Sequence, residues 1–214
     1  KDFWVTFHKP LVESGPETTT LFISSTSGAT GFVEIPGMQW TQNWTVGANQ
    51  AISVTLPNNV LVETADGIEN KGIHVVSSDN AISVSGLHHS PFLTDGFTAV
   101  STETLGTEYR ILTYGNYGIV NGTEFTFAAT ENNTAVQITL GPNSSPLLNG
   151  LPTIQHAAGI PYTVTLNAGQ TYQLRSEFGN DDGSLFDTIP NQADFTGTHI
   201  QADKPLAVFA GHYA

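Results

Sequence analysis

Gly72-Ile73-His74-Val75, followed by Ile82-Ser83-Val84, returns later in the chain as Gly197-Thr198-His199-Ile200, followed by Leu206-Ala207-Val208. In both copies a turn carrying an aspartate, Asp79 or Asp203, separates two runs of alternating apolar and polar residues. Alternation with period two sends one set of side chains into a core and the other toward water, so each run predicts a strand. Two such runs across a short turn predict a hairpin. Working outward, the same order of blocks holds in both halves. Asp2-Phe3-Trp4-Val5-Thr6-Phe7 is answered by Glu108-Tyr109-Arg110-Ile111-Leu112. The hairpin-like stretch from Leu21-Phe22-Ile23-Ser24-Ser25 to Phe32-Val33-Glu34-Ile35 is answered by Phe125-Thr126-Phe127-Ala128-Ala129 to Val136-Gln137-Ile138. Val54-Thr55-Leu56 is answered by Val164-Thr165-Leu166. The blocks keep their order at separations of roughly 103 to 125 residues. This predicts a duplicated β unit of about 100 residues.

Helical periodicity is nearly absent, since every apolar i, i+3, i+4, i+7 window is interrupted by Gly or Pro. Turn dipeptides such as Ser27-Gly28, Pro36-Gly37, Asp66-Gly67, Asp95-Gly96 and Asn149-Gly150 punctuate the strand-like runs. The fold class expected is all-β: two tandem homologous β-sandwich-like units from an internal duplication, residues 1–100 and 101–214, each with about six to eight strands. The seam near Phe97–Gly106 lacks the Gly/Ser/Pro run of a flexible linker, so the second unit is expected to pack on the first. A propeller of shorter blades is the alternative architecture.

The chain carries 19 Asp plus Glu against 6 Lys plus Arg, a formal net charge of −13. Six scattered cations cannot track a phosphate backbone, so nucleic acid is excluded as a partner. No apolar run reaches the ~20 residues needed to span a bilayer, so no membrane insertion is expected. With no cysteine, disulfides, thiolate metal sites and Cys nucleophiles are all excluded. The chain opens directly on strand-like sequence and ends abruptly on an apolar run, as a mature product or a fragment of something longer would.

Chemistry-bearing motifs are few. Nucleophile elbows, zinc-protease motifs and phosphate-cradling loops are missing, so no catalytic residue is assigned. His88 and His89 are adjacent, and on a strand they point to opposite faces. His74 and His199 recur at matched positions, either as hydrogen-bonded structural histidines or as a ligand or base. Asn43, Asn121, Asn132 and Asn143 each begin an N-glycosylation triplet. Asp181, Asp182 and Asp187 concentrate hard oxygen ligands in the long stretch from Glu177 to Asp194, either as a weak calcium site or as a solvated acidic turn. Trp40, Trp44, Tyr114 and Tyr117 stand outside strict alternation, as a contact platform or as sheet-end core.

The segment from Asp194-Phe195-Thr196-Gly197-Thr198-His199 through Asp203-Lys204-Pro205-Leu206-Ala207-Val208-Phe209-Ala210-Gly211-His212 resembles a signature of the IgGFc-binding protein amino-terminal domain family. The stretches Asp2–Phe7, Ala129–Ile138 and Val164–Leu174 are similar to further family segments, in the family's order. The resemblance implies an extracellular or cell-surface, repeat-built, non-catalytic protein. The chain departs from vertebrate members in lacking cysteine, and no ligand residue is carried over. The function expected is a non-enzymatic, secreted adhesion or matrix-scaffold module of a longer repeat protein, with extracellular proteins or glycans as partners and possible self-assembly. The alternative is a carbohydrate-binding module of a cell-surface protein, presenting Trp40 or Trp44 to a sugar. A hydrolase would need His74 or His199 beside a carboxylate and a hydroxyl in a cleft.

Overall fold

A computed structural model of the chain describes residues 1–9, 16–91, 94–113, 122–142, 144, 156–175 and 194–213. The described residues form an all-β protein whose strands are numbered in chain order. One sheet has the order β1 (Asp2–Val5), β7 (Ile73–Ser77), β3 (Ala29–Ile35), β4 (Trp40–Val46). Facing it lies a sheet of β5 (Gln50–Thr55), β2 (Thr18–Ser25), β8 (Ser83–His89) and β9 (Thr94–Thr98). The later residues repeat the plan: β10 (Glu108–Arg110), β15 (His199–Ala202), β12 (Thr134–Thr139), β13 (Tyr162–Leu166) against β14 (Thr171–Arg175), β11 (Gly122–Ala129), β16 (Leu206–Tyr213). A short strand, β6 (Gly67–Glu69), lies beside β14. All pairings within the sheets are antiparallel.

The two strand orders correspond position by position. β1, β7, β3 and β4 map onto β10, β15, β12 and β13, while β5, β2 and β8 map onto β14, β11 and β16. Among the described residues β9 has no counterpart. Three sequence readings are corrected by this topology. The runs flanking Asp79 and Asp203 are not hairpins: β7 and β8 belong to opposite sheets, as do β15 and β16. The run from β2 to β3 also crosses between sheets, as does its counterpart from β11 to β12. Alternation and turn residues report that the chain reverses, not which sheet the next strand joins. Here the turn aspartate is anchored sideways. Asp79 accepts from the Thr30 backbone N–H at 3.0 Å, and Asp203 from that of Ala135 at 2.8 Å. Each of these is the second residue of its strand, β3 or β12. Val164-Thr165-Leu166 also occupies the place of β4, not that of Val54-Thr55-Leu56 in β5. A three-residue apolar–Thr–apolar run is too generic to fix a sheet position.

Each pair of sheets closes on its own core. In the first, Val33, Ile35, Ile73 and Val75 face Leu21, Ile23, Val54 and Val84, all at or near zero exposure. Trp44 joins this core at 5% exposure, and Trp40 packs partly against it, so Trp44 is core and not platform. In the second, Phe125, Phe127, Val136, Ile138, Leu174 and Ile200 play the same part.

Candidate functional site

The matched histidines are built into the ladders by register. His74 stands opposite Trp4 of β1 on one side and Glu34 of β3 on the other. Its Nδ1 lies 3.0 Å from Glu34 Oε1, and its Nε2 lies 2.9 Å from Asp2 Oδ2. The Trp4 ring stacks on the imidazole with centroids 4.2 Å apart and planes within 5°. His199 repeats half of this, its Nε2 2.9 Å from Glu108 Oε1. Both histidines are therefore hydrogen-bonded ladder residues. Among the described residues their side-chain partners are carboxylates and, for His74, aromatic rings.

A hydroxyl–imidazole–carboxylate row exists elsewhere. Thr19 Oγ1 lies 3.0 Å from His88 Nδ1, and His88 Nε2 lies 3.9 Å from Glu17 Oε2. Both Thr19 and His88 are 5% exposed. A buried hydroxyl is not presented to a substrate, so the row is a packing contact. Burial pushes the His88 imidazole below its ordinary value, against opposing pulls from Glu17 and Asp95. The neutral ring is thus the folded form, while the unfolded chain takes a proton in the ordinary histidine range. Its stability contribution is complete above that range and is lost as pH falls through it. Going from about pH 7.5 to about pH 5.5, His88→Asn should lose less stability than the wild type, measured as the shift in urea midpoint.

A concave feature lies where the two halves meet. A cleft of about 400 Å³ is lined by β9 on one wall, β16 on the other, and Trp4, Leu105 and Tyr109 between them. Both walls are sheet edges, and no backbone ladder joins β9 to β16 among the described residues. Phe97 and Phe209 meet across it edge to face at 4.9 Å. A second hollow of about 490 Å³ shares Trp4 and Leu105 and is rimmed by Asp2, His74, Glu103 and Glu131.

Polar contacts hold the walls in place. Glu124 of β11, 2% exposed, sits 3.3 Å from Arg175 Nε and 3.7 Å from His8 Nδ1. Desolvation raises its carboxyl above the usual range, and the charges of His8 and Arg175 pull it back. Thr126 Oγ1 reaches His8 Nδ1 at 2.9 Å, and Arg175 Nη2 donates to the Lys9 carbonyl at 2.9 Å. Further along, the Tyr172 hydroxyl donates to Asp66, the Asp66 N–H donates to the Gln173 carbonyl, and Gly72 N–H donates to the Gly169 carbonyl at 2.9 Å. A small apolar contact of Trp4, Ala128 and Ala207 completes the seam. The seam thus combines paired polar groups with aromatic and small apolar contacts.

The other motif residues divide as follows. Asn43 is exposed on edge strand β4, with Thr45 also exposed. Asn132 is exposed in a turn, but its Oδ1 accepts from Ala168 N–H at 3.1 Å, and Thr134 is fully buried. Asn121, Asn143, Tyr114, Tyr117 and the aspartates Asp181, Asp182 and Asp187 lie outside the described residues. Among the described residues no three His, Asp or Glu side chains are grouped to hold a metal, and no helix is long and apolar enough to cross a membrane. The cleft itself was missed by sequence reasoning, because its walls, β9 and β16, lie far apart in the chain. The signal available was the apolar run Leu206–Phe209, whose Val208 and Phe209 cannot both enter one core.

Comparison with known proteins places these strands. The family described as IgGFc binding protein matches residues 95–214, which run from β9 through β16 and make up more than half of the chain. A curated human protein, IgGFc-binding protein, is 30% identical over 138 residues, covering 64% of this chain and 2% of that protein. The chain therefore spans only a small part of this relative's length. No solved structure matches.

Proposed function

We infer that this chain, which belongs to the IgGFc binding protein family, is a binding module and not a catalyst. It acts outside the cell as an adhesive or scaffold element within a longer protein, and residues 1–100 and 101–214 serve as two units fixed at one angle. The observation that carries this reading is the cleft between β9 and β16, the edge strands of two sheets. Edge strands offer unpaired N–H and C=O groups that an extended segment of another protein can complete, while apolar side chains beside them give selectivity. Phe97 and Phe209 supply that apolar floor. The human relative's name records binding to immunoglobulin Fc, so an Fc fragment is the protein to try first. Asn43 is the glycan acceptor proposed, since both it and Thr45 are exposed. Weak calcium binding at Asp181, Asp182 and Asp187 stays a proposal on chemistry alone.

The test is amide hydrogen exchange of the chain with and without Fc, beside a binding titration. Slower exchange confined to residues 94–98 and 206–211 is the expected result. Phe209→Ala should weaken binding by about tenfold or more, as loss of an interface aromatic does. Binding that leaves those amides unchanged would sink the cleft as the docking site. Absence of Fc binding would remove Fc as the partner.

A further inference from the structure

The outer face of the sheet β5-β2-β8-β9 carries no Asp, Glu, Lys or Arg, in a chain whose net charge is −13. Inward-pointing Leu21, Ile23, Val54 and Val84 are buried, so by alternation their neighbours point out. At the centre of that outward face stands Phe22, 42% exposed, on an interior strand. It is flanked by Ser53 on β5 and Ser85 on β8, and Thr98 stands next in the same row. The adjoining rows bring Thr20 beside Thr55, and Ser24 beside Ala51 and Ser83. At the Ser24–Ser83 end the face runs into a shallow hollow of about 480 Å³, rimmed by Thr26, Asn49 and Gln50.

We propose that this face is a docking site for a neutral oligosaccharide, with Phe22 as its stacking platform. Four arguments support that occupant. An aromatic ring lying open on a flat sheet matches the apolar C–H face of a sugar ring. Around it stand hydroxyl and amide groups, which both donate and accept and so suit sugar hydroxyls. A charge-free patch on a strongly acidic protein repels sialylated or sulfated chains from a distance but leaves neutral ones unopposed. Finally, the face is too small for a second copy. Four strands at about 4.8 Å and five residues at about 3.4 Å enclose roughly 200–400 Å². A stable dimer needs about 800 Å² per partner, with a more apolar centre. The site meets the β9/β16 cleft only along β9, whose Gly96 and Thr98 border both, whereas Phe97 points the other way, toward Phe7 and Phe209.

The experiment is a glycan array that pairs neutral oligosaccharides with their sialylated and sulfated counterparts, run on wild type, Phe22→Ala and Phe22→Trp. The exposed ring makes both variants foldable, which circular dichroism verifies. Expected are binding to neutral members only, a loss of at least about tenfold in Phe22→Ala, and retention in Phe22→Trp, which keeps the platform. Binding unchanged by Phe22→Ala, preference for the charged counterparts, or no binding to any member each overturns the proposal. So does sedimentation showing a wild-type dimer that Phe22→Ala dissolves, because a second copy would then cover the face.

Discussion

Replacing Trp4 with alanine is expected to cost about 3–5 kcal/mol, the range for losing a large buried aromatic. The ring is 7% exposed, stacks on His74, and packs with Ala128 and Ala207 of the second half. It also lies against Gly169, where an added Cβ would come within 3.3 Å of it. One side chain therefore serves the β1–β7 ladder and the seam at once. Its loss should lower the urea midpoint and also split one unfolding transition into two, as the halves lose their shared contact. Trp4→Phe should recover part of the midpoint and the single transition. A loss under about 1 kcal/mol would show that the polar pins alone hold the seam.

Gly31→Ala comes next in size, at about 3 kcal/mol or more, because the clash is with backbone and not with a side chain that can swing away. A Cβ at Gly31 would sit 1.9 Å from the Val76 carbonyl oxygen and 2.5 Å from the Trp44 ring. Relief requires β3 and β7 to part, and that breaks the ladder holding His74 between Trp4 and Glu34. Gly211→Ala is the control. Its added Cβ meets nothing within 4 Å, so the midpoint should hold or rise slightly. Thermal and urea unfolding of the two variants side by side checks both outcomes.

The all-β class and the family were legible because they rest on local signals: alternation, turn residues, and the Asp203-Lys204-Pro205 to Gly211-His212 string. The partner of each strand was not legible. Asp79 and Asp203 announce a reversal, yet the chain crosses to the opposite sheet, and only the side-chain bonds to Thr30 and Ala135 reveal why. The shared Gly-x-His motif also hid two different physical needs. Gly72 lets two backbones touch at Gly169, whereas Gly197 takes a φ of +89°. Phe22 was visible in principle, since Leu21-Phe22-Ile23 puts three apolar residues where alternation allows two inside. The cleft was not, because its walls come from strands that meet only in the folded chain.

The placement of β1 bears on how the protein is made. Asp2 pairs with Val76 and Val5 with Ile73, so β1 leaves the ribosome well before its ladder partner β7. At about 5–20 residues per second that wait is on the order of 4–15 s. Throughout it Phe3, Trp4 and Val5, all buried at the end, stand open to water and to other nascent chains. Biosynthesis of this protein therefore leans on whatever shields that strand, and slower translation lengthens the interval in which it can pair wrongly.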